Sequence, residues 1–310
     1  MHRLQNAGRN QGKTTGIVLH KNYTGRFVPT PSGPLYFGSI VTALASFLQA
    51  RSQQGRWLVR IDDLDTPCVR AGASDDILKT LQVLSLHWDD KVLYQITCHD
   101  AYQAVLDTLV EKDLLYRCDC TRKETRGIPY PGICRQRNVP LCNQTALRIR
   151  TDNTVVRFLD EIQREYAWDI NAKSGDFIIM RVDDIYGYLL SVVVDDSLQG
   201  VTEVIRGADL LSSAPEQLWV YQHLDLKPPH YGHVPVVADQ YGKNLGKRDA
   251  AMDALLLADP AELLLHALQF LGQSVETELA GADTAIVINY AIEHWDISRV
   301  PKVTSIPKQL

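Results

Sequence analysis

Between Arg26 and Ser39 the chain reads Arg-Phe-Val-Pro-Thr-Pro-Ser-Gly-Pro-Leu-Tyr-Phe-Gly-Ser, a run dense in Pro, Gly and Ser that opens into a periodic apolar segment. A strand that leaves through such a loop into a helix N-terminus presents backbone N–H groups and the positive end of a helix dipole, which suits a phosphate. Taken alone, the same pattern serves equally well as a structural turn. A second group is Cys118-Asp119-Cys120 with Tyr130 and Cys134. Thiolates suit zinc, and a small loop-rich segment gains order when a metal pins it. A lone Cys-x-Cys is nevertheless more often a pair of buried or incidental thiols. Basic residues cluster at Arg122, Lys123 and Arg126, at Arg135 and Arg137, and at Lys243, Lys247 and Arg248. Each cluster could face an anionic polymer, although solvated surface is the commoner fate of such residues.

Elements must hold these side chains. Thr24–Val28 reads as a short strand and Pro29–Ser39 as the loop that leaves it. Ile40, Leu44, Phe47 and Leu48 share one helical face, with Ser39 as N-cap. Trp57–Ile61 is a short apolar strand, and Ser74 caps a helix that buries Ile77, Leu78, Leu81 and Leu84. Strand, glycine-rich loop, helix and strand in that order open a parallel α/β sheet. Tyr102, Val105, Leu106, Leu109 and Val110 mark a further amphipathic helix running into the cysteines. The stretch Arg122–Asn143 is polar and rich in Gly, Pro and Cys, which reads as an insertion. Val192–Val194 and Thr202–Ile205 have buried-strand character. Asp259-Pro260 starts a helix by capping and an N1 proline, and Gly272 stops it.

The bulk numbers set bounds. A chain of 310 residues buries at least one full core, and 45% apolar with 22% charged residues is an ordinary globular balance. No apolar run approaches the roughly 20 residues that span a bilayer. The segment 1–23 has basic residues but no continuous apolar core of a secretory signal, so it is read as a poorly ordered extension and the protein as cytoplasmic. With six cysteines and no secretory signal, metal or plain burial is a better reading than a disulfide framework. A net charge of −5 gives no global mark of nucleic-acid binding, yet a local basic groove can sit on an acidic protein.

Taken together, the loop through Ser39, the run Arg60-Ile61-Asp62-Asp63-Leu64-Asp65, the run from Gln199 to Asp209 and Leu268-Gln269-Phe270-Leu271-Gly272 resemble the class I glutamyl-tRNA synthetases. They occur in that family's order from about Gly25 to Pro301, and the match is closest to its short branch, which modifies tRNA(Asp). The resemblance implies an α/β fold: a Rossmann-like parallel-sheet nucleotide-binding domain with a zinc-containing insertion and a small helical C-terminal region. The corresponding division is 1–23 extension, 24–116 first half of the catalytic domain, 117–175 zinc-binding, acceptor-like insertion, 176–240 second half, and 241–310 signature loop and helical region.

The activity it implies has two steps. L-Glutamate attacks the α-phosphate of ATP, accompanied by Mg2+, and the glutamyl group then moves to the queuosine base in the anticodon of tRNA(Asp). Too few residues follow the core for a separate anticodon-binding domain, and the protein is expected to act as a monomer away from membranes. By position, the glutamate-binding residues fall on Arg26, Phe27, Val28, Pro29, Thr30, Asp62, Tyr188 and Arg206. Two arginines can hold carboxylates through bidentate charge-assisted bonds. Asp62 would hold the ammonium and Tyr188 would add a hydroxyl. The first signature, Pro29–Ser39, places Tyr36 at a catalytic position and Gly38 and Ser39 at ATP. The second, Asn244–Arg248, places Lys247 where negative charge develops on the transferred phosphate. Cys118, Cys120, Tyr130 and Cys134 match the family's set of ligands for one structural zinc ion.

Four positions depart from the pattern. Tyr36 replaces the signature's first histidine, Asp62 replaces a glutamate, and Asn244 and Gly246 replace a lysine and a serine. Losing one donor to a developing charge costs about 2.7–4 kcal/mol elsewhere. Two other readings therefore stand beside the synthetase: a weakened paralogue that binds tRNA or nucleotide, and a nucleotidylyltransferase with a non-tRNA acceptor.

Overall fold

The computed structural model describes residues 23–121, 123–125, 129–140, 145–239, 241 and 259–307. The expected extension, apart from its last residue, and the second signature Asn244–Arg248 with Lys247 lie outside the described residues, as do Arg122, Arg126, Cys142 and Lys243. Tyr23, placed by the sequence at the end of that extension, is buried in the main core.

The chain opens with β1 (Thr24–Phe27), α1 (Phe37–Ser52), β2 (Arg56–Ile61), α2 (Ala73–Val83) and β3 (Leu93–Tyr94). These three strands form a parallel sheet in the order β1-β2-β3, with Arg26 opposite Leu58. A strand inside a parallel sheet is covered on both faces and reads as a continuous apolar run. Trp57–Ile61 fits this, since every residue in it is buried. The next elements are α3 (His99–Glu111), β4 (Leu115–Cys118), β5 (Ala146–Ile149), β6 (Val155–Asp160), β7 (Arg164–Asp169), α4 (Ile170–Lys173) and β8 (Ile178–Met180). The chain then forms α5 (Tyr188–Leu198), β9 (Glu203–Gly207), α6 (Ser213–His223), β10 (His230–Val234) and β11 (Val236–Ala238). It closes with α7 (Pro260–Phe270), α8 (Thr284–His294) and β12 (Ser305–Pro307).

A second sheet, β7-β6-β10-β9, is parallel except for the β6–β7 hairpin. It continues the first, because Thr24 N–H donates to Thr202 Oγ1 and Thr202 N–H to the Thr24 carbonyl, both at 2.9 Å. Helix α1 packs between β1, β9 and the C-terminal helices, so nearly all its faces are apolar. A second apolar cluster lies around α3, α5, α6 and the antiparallel sheet β4-β5-β8. Among the described residues no helix is long and apolar enough to cross a membrane.

Several expectations need correction. Val192–Val194 lie inside α5, not in a strand. Three β-branched residues favour a strand locally, but burial and the bonds of the adjacent Asp195 and Asp196 override that preference. Ser39 is not the N-cap of α1: Tyr36 occupies that position without a side-chain cap. Ser74 falls within α2, which begins after Gly72 in the left-handed region (φ +80°). Val110 is 55% exposed, outside the buried stripe of Tyr102, Leu106 and Leu109. The span 117–175 is not set apart throughout. Its strand β6 pairs with β10, whereas β8, beyond its expected end, pairs with β5 of the antiparallel sheet.

Candidate active site

A cavity of about 540 Å3 opens at the carboxyl ends of β1 and β9 and at the first turns of α1 and α5. A crevice at the carboxyl ends of parallel strands is where α/β folds bind ligands. The structure brings Arg26, Phe27, Val28, Pro29, Thr30, Tyr36, Gly38, Ser39, Asp62, Tyr188 and Arg206 to its wall. These are the expected glutamate and ATP positions other than Lys247.

The two arginines differ electrostatically. Arg26, buried at the end of β1, directs Nε and Nη2 to the two oxygens of Asp196, each at 3.3 Å. Asp196 also accepts Arg60 Nη2 at 2.6 Å, and Arg60 approaches Asp195 at 3.5 Å. Burial would raise the Asp196 carboxyl, but Arg26 and Arg60 together hold it below the usual carboxylate range. Asp195 is pushed up by burial, only partly offset by Arg60, Gln95 and Tyr102. Arg206, on β9, has no ion pair among the described residues. Its Nε donates to His233 Nε2 at 2.9 Å, Nη1 to Gln217 Oε1 at 2.8 Å and Tyr188 Oη at 3.3 Å, and Nη2 to the Leu210 carbonyl at 3.2 Å. The guanidinium also lies 5.0 Å from the Tyr231 ring centroid. All of these direct partners are neutral, so a buried cation faces the cavity without a carboxylate bonded to it among the described residues, although Asp209 lies nearby.

Asp62 follows β2; its N–H donates to the Pro29 carbonyl, and its Oδ2 accepts from Thr30 Oγ1, both at 3.0 Å. Burial raises its carboxyl, and Thr30 and Arg60 offset part of that effect. A cationic ligand group beside it would favour the charged form. In α1 the backbone ladder starts with Ile40 N–H to the Tyr36 carbonyl at 3.0 Å. The N–H groups of Phe37, Gly38 and Ser39 precede it, at the helix end that attracts anions. A Cβ at Gly38 would stand 2.9 Å from Tyr36 Cε2, so a larger residue there would displace the Tyr36 ring. Burial pushes the Tyr36 phenol up, opposed by Ser39 and assisted by Asp209, so it remains a hydrogen-bond donor. Asp209, which also lines the cavity, is raised by burial despite the nearby Arg206.

The sequence reading missed His233, Asp160 and Gln217. His233 sits in a short strand with no motif around it, and Asp160 is 73 residues away, so only strand pairing reveals them.

The thiols of Cys118, Cys120 and Cys134 lie within 4.8 Å of one another. The Tyr130 hydroxyl is 3.3 Å from Cys118 Sγ and 3.4 Å from Cys120 Sγ. Gly175 (φ +63°) admits the Tyr130 backbone, which a Cβ would meet at 2.5 Å. Arg148 covers the Tyr130 ring at 3.9 Å, and Arg137 Nη1 reaches Cys134 Sγ at 3.4 Å. Burial raises the Cys118 thiol, but the Tyr130 hydroxyl, the Cys120 backbone and Arg148 more than offset it. Three sulfurs and a phenol converging at these distances form a donor set that a metal ion can occupy. Cys68 is exposed and Cys98 half-buried, and neither belongs to this cluster. The basic pair Arg135 and Arg137 is largely committed within the protein: Arg135 grips buried Asp176, and Arg137 pairs with Asp119 at 3.0 Å.

Comparison with known proteins agrees with this geometry. The family model for tRNA synthetases class I (E and Q), catalytic domain, matches residues 23–129 and 136–295. The glutamyl-Q tRNA(Asp) synthetase of Pseudomonas fluorescens is 43% identical over 291 residues, 93% of this chain and 96% of that protein. Its counterpart in Ectopseudomonas mendocina is 44% identical over 287 residues, 92% and 97% of the two chains. Among solved structures, a glutamate-tRNA synthetase from Elizabethkingia anophelis superposes with a TM-score of 0.75 at 19% identity, covering 93% of this chain and 68% of that one. That likeness carries the fold. With the curated relatives matched almost end to end and the cavity lined as above, this chain belongs to the glutamyl-Q tRNA(Asp) synthetase family of class I catalytic domains.

Proposed function

We propose that the protein activates L-glutamate with ATP and transfers it to the queuosine base in the anticodon of tRNA(Asp). The observation that carries the reading is one cavity in which Arg26 and Arg206 both face the ligand space beside an open helix N-terminus. Glutamate offers two carboxylates and one ammonium. The arginines take the carboxylates, and Asp62, with Thr30 steadying its Oδ2, takes the ammonium. The α-carboxylate oxygen attacks the α-phosphorus of ATP, a new C–O–P link forms, and pyrophosphate leaves with the electrons of the broken P–O bond. The α1 N–H groups, the Tyr36 hydroxyl and Lys247 are assigned to the charge that develops on the phosphates, with Mg2+ accompanying ATP. The glutamyl carbonyl then passes to a hydroxyl of the modified base, and AMP leaves.

Cys118, Cys120, Cys134 and Tyr130 are assigned to one structural zinc ion. When bound, the ion would pin a loop-rich segment that has only a small apolar cluster of its own.

The test is glutamate-dependent ATP–pyrophosphate exchange without tRNA, followed by transfer to tRNA(Asp) with and without queuosine. Exchange and queuosine-dependent transfer are expected. Exchange without transfer would point to another acceptor, and no exchange would overturn the proposal. Lys247→Ala should cut exchange at least about a hundredfold, the scale of losing one donor to a developing charge. Full retention would remove Lys247 from this role.

A further inference from the structure

Asp160, His233 and Arg206 form a chain of hydrogen bonds that ends at the cavity. Asp160 Oδ1 accepts three backbone N–H groups, from Ile162 at 3.0 Å, Gln163 at 2.8 Å and His233 at 3.1 Å. Its Oδ2 is therefore the oxygen that faces His233 Nδ1, at 2.5 Å. The imidazole proton is held on Nδ1, and Nε2 is left bare to accept from Arg206 Nε–H. His233 and Asp160 are both fully buried, and Tyr231 stacks near the imidazole with ring centroids 6.0 Å apart. Burial, together with the Arg206 charge, keeps the ring neutral in spite of Asp160.

The arrangement contrasts with that of Arg26. A carboxylate could have paired with the guanidinium directly, as Asp196 does with Arg26. Here a neutral ring stands between carboxylate and cation. Direct pairing would spend the charge of Arg206 inside the protein, where an incoming carboxylate would have to compete for it. The ring preserves a directional bond to Nε without neutralising the group.

We propose that His233, oriented by Asp160, is a positioning residue for substrate recognition: it fixes the Arg206 guanidinium while holding the Asp160 charge one ring away. The proposal rests on the glutamate-activating reading of the cavity. Asp160→Asn tests it at nearly constant shape. The amide oxygen stays with the three backbone N–H groups, so the NH2 group turns to His233 Nδ1. That nitrogen must then accept, its proton moves to Nε2, and two donors confront each other at Arg206. Leaving a buried donor unmatched weakens binding by about tenfold or more. The glutamate KM in pyrophosphate exchange should rise by about that factor, while the ATP KM stays within about twofold. His233→Ala should behave likewise, and His233→Gln, which can return an acceptor to Nε, should recover most of the loss.

Circular dichroism and thermal melting identify folded variants, and if Asp160→Asn does not fold, the His233→Ala and His233→Gln pair decides on the same criterion. An unchanged glutamate KM in folded variants, a parallel rise in both KM values, or no recovery with glutamine would overturn the positioning role while the functional reading stands. A wild-type protein without glutamate-dependent exchange would overturn both.

Discussion

An arginine surrounded by neutral acceptors keeps its charge for a ligand, and one already paired offers only what remains. Arg206 is the first kind and Arg26, with Asp196 on two of its nitrogens, is the second. Arg206→Lys replaces a planar fork with a point charge that cannot serve His233, Gln217 and Leu210 together. It should raise the glutamate KM at least about tenfold in exchange assays, on the scale of losing a charge-assisted hydrogen bond. A separate titration marks Glu203, at the start of β9. Burial and the nearby Glu161 push its carboxyl up to about 7, with Lys227 opposing. The folded protein holds that proton more tightly than the unfolded chain, so this contribution to stability is present at low pH and is lost as pH rises through about 7. Glu203→Gln should therefore melt higher than wild type at pH 8 and nearly equally at pH 5. A constant difference at both values would contradict the assignment. The sequence made Arg26, Asp62 and Arg206 legible because each falls in a motif. It could not show that Arg26 is already paired with Asp196, which lies 170 residues further on.

At the scale of elements, α5 ties the site to the interior. It begins with Tyr188 at the cavity, and its fully buried Asp195 and Asp196 bond Arg60 on β2 and Arg26 on β1. Removing one partner of such a buried pair leaves an uncompensated charge and costs about 3–5 kcal/mol. Asp196→Ala should lower the unfolding free energy by about that amount in urea, together with glutamate binding. Those ties also explain why the valines of α5 read wrongly from sequence: local propensity favours a strand, and long-range ion pairs decide otherwise. The opposite held for β2 and α7. In β2 the apolar run sufficed. In α7 Asp259 caps Ala261 N–H at 2.7 Å, and Gly272 (φ +71°) ends the segment, all of it local chemistry. The Cys118–Cys134 segment belongs at this scale too. Removing metal from purified protein with a chelator should increase proteolysis between residues 118 and 140 and leave exchange largely intact. Its small apolar cluster is separate from the one around α1. Equal loss of exchange would argue for a tighter coupling.

For the molecule as a whole, buried His233 and half-buried Glu203 give opposite responses to acid. Burial, assisted by Arg206 and opposed by Asp160, lowers the His233 imidazole to about 4 from 6.5. Its contribution is present above about 6.5 and is lost as pH falls through about 4. Glu203 works the other way over much of the same range, so the two slopes offset each other in the wild type. Between pH 4.5 and 6.5 the stability of the Glu203→Gln variant should therefore change more steeply in the upward direction than that of the wild type. The opening of a parallel sheet followed from the order of short apolar strands and a Gly-rich loop, while the layout with a cysteine-bearing insertion and a helical C-terminal region was implied by the family resemblance. The route of β6 into the second sheet did not follow, because a hairpin strand carries no mark of which neighbour it will join.

On the proposed reading of the cavity, the Arg26–Asp196–Arg60–Asp195 chain would join recognition to architecture. A mutation that retunes Arg26 for a different amino acid also frees a carboxylate on which the meeting of three elements depends. Substrate choice at this end of the cavity is consequently resistant to drift, and a descendant seeking a new amino acid would more readily change the rim at Tyr188 or Asp62 than the ground beneath it.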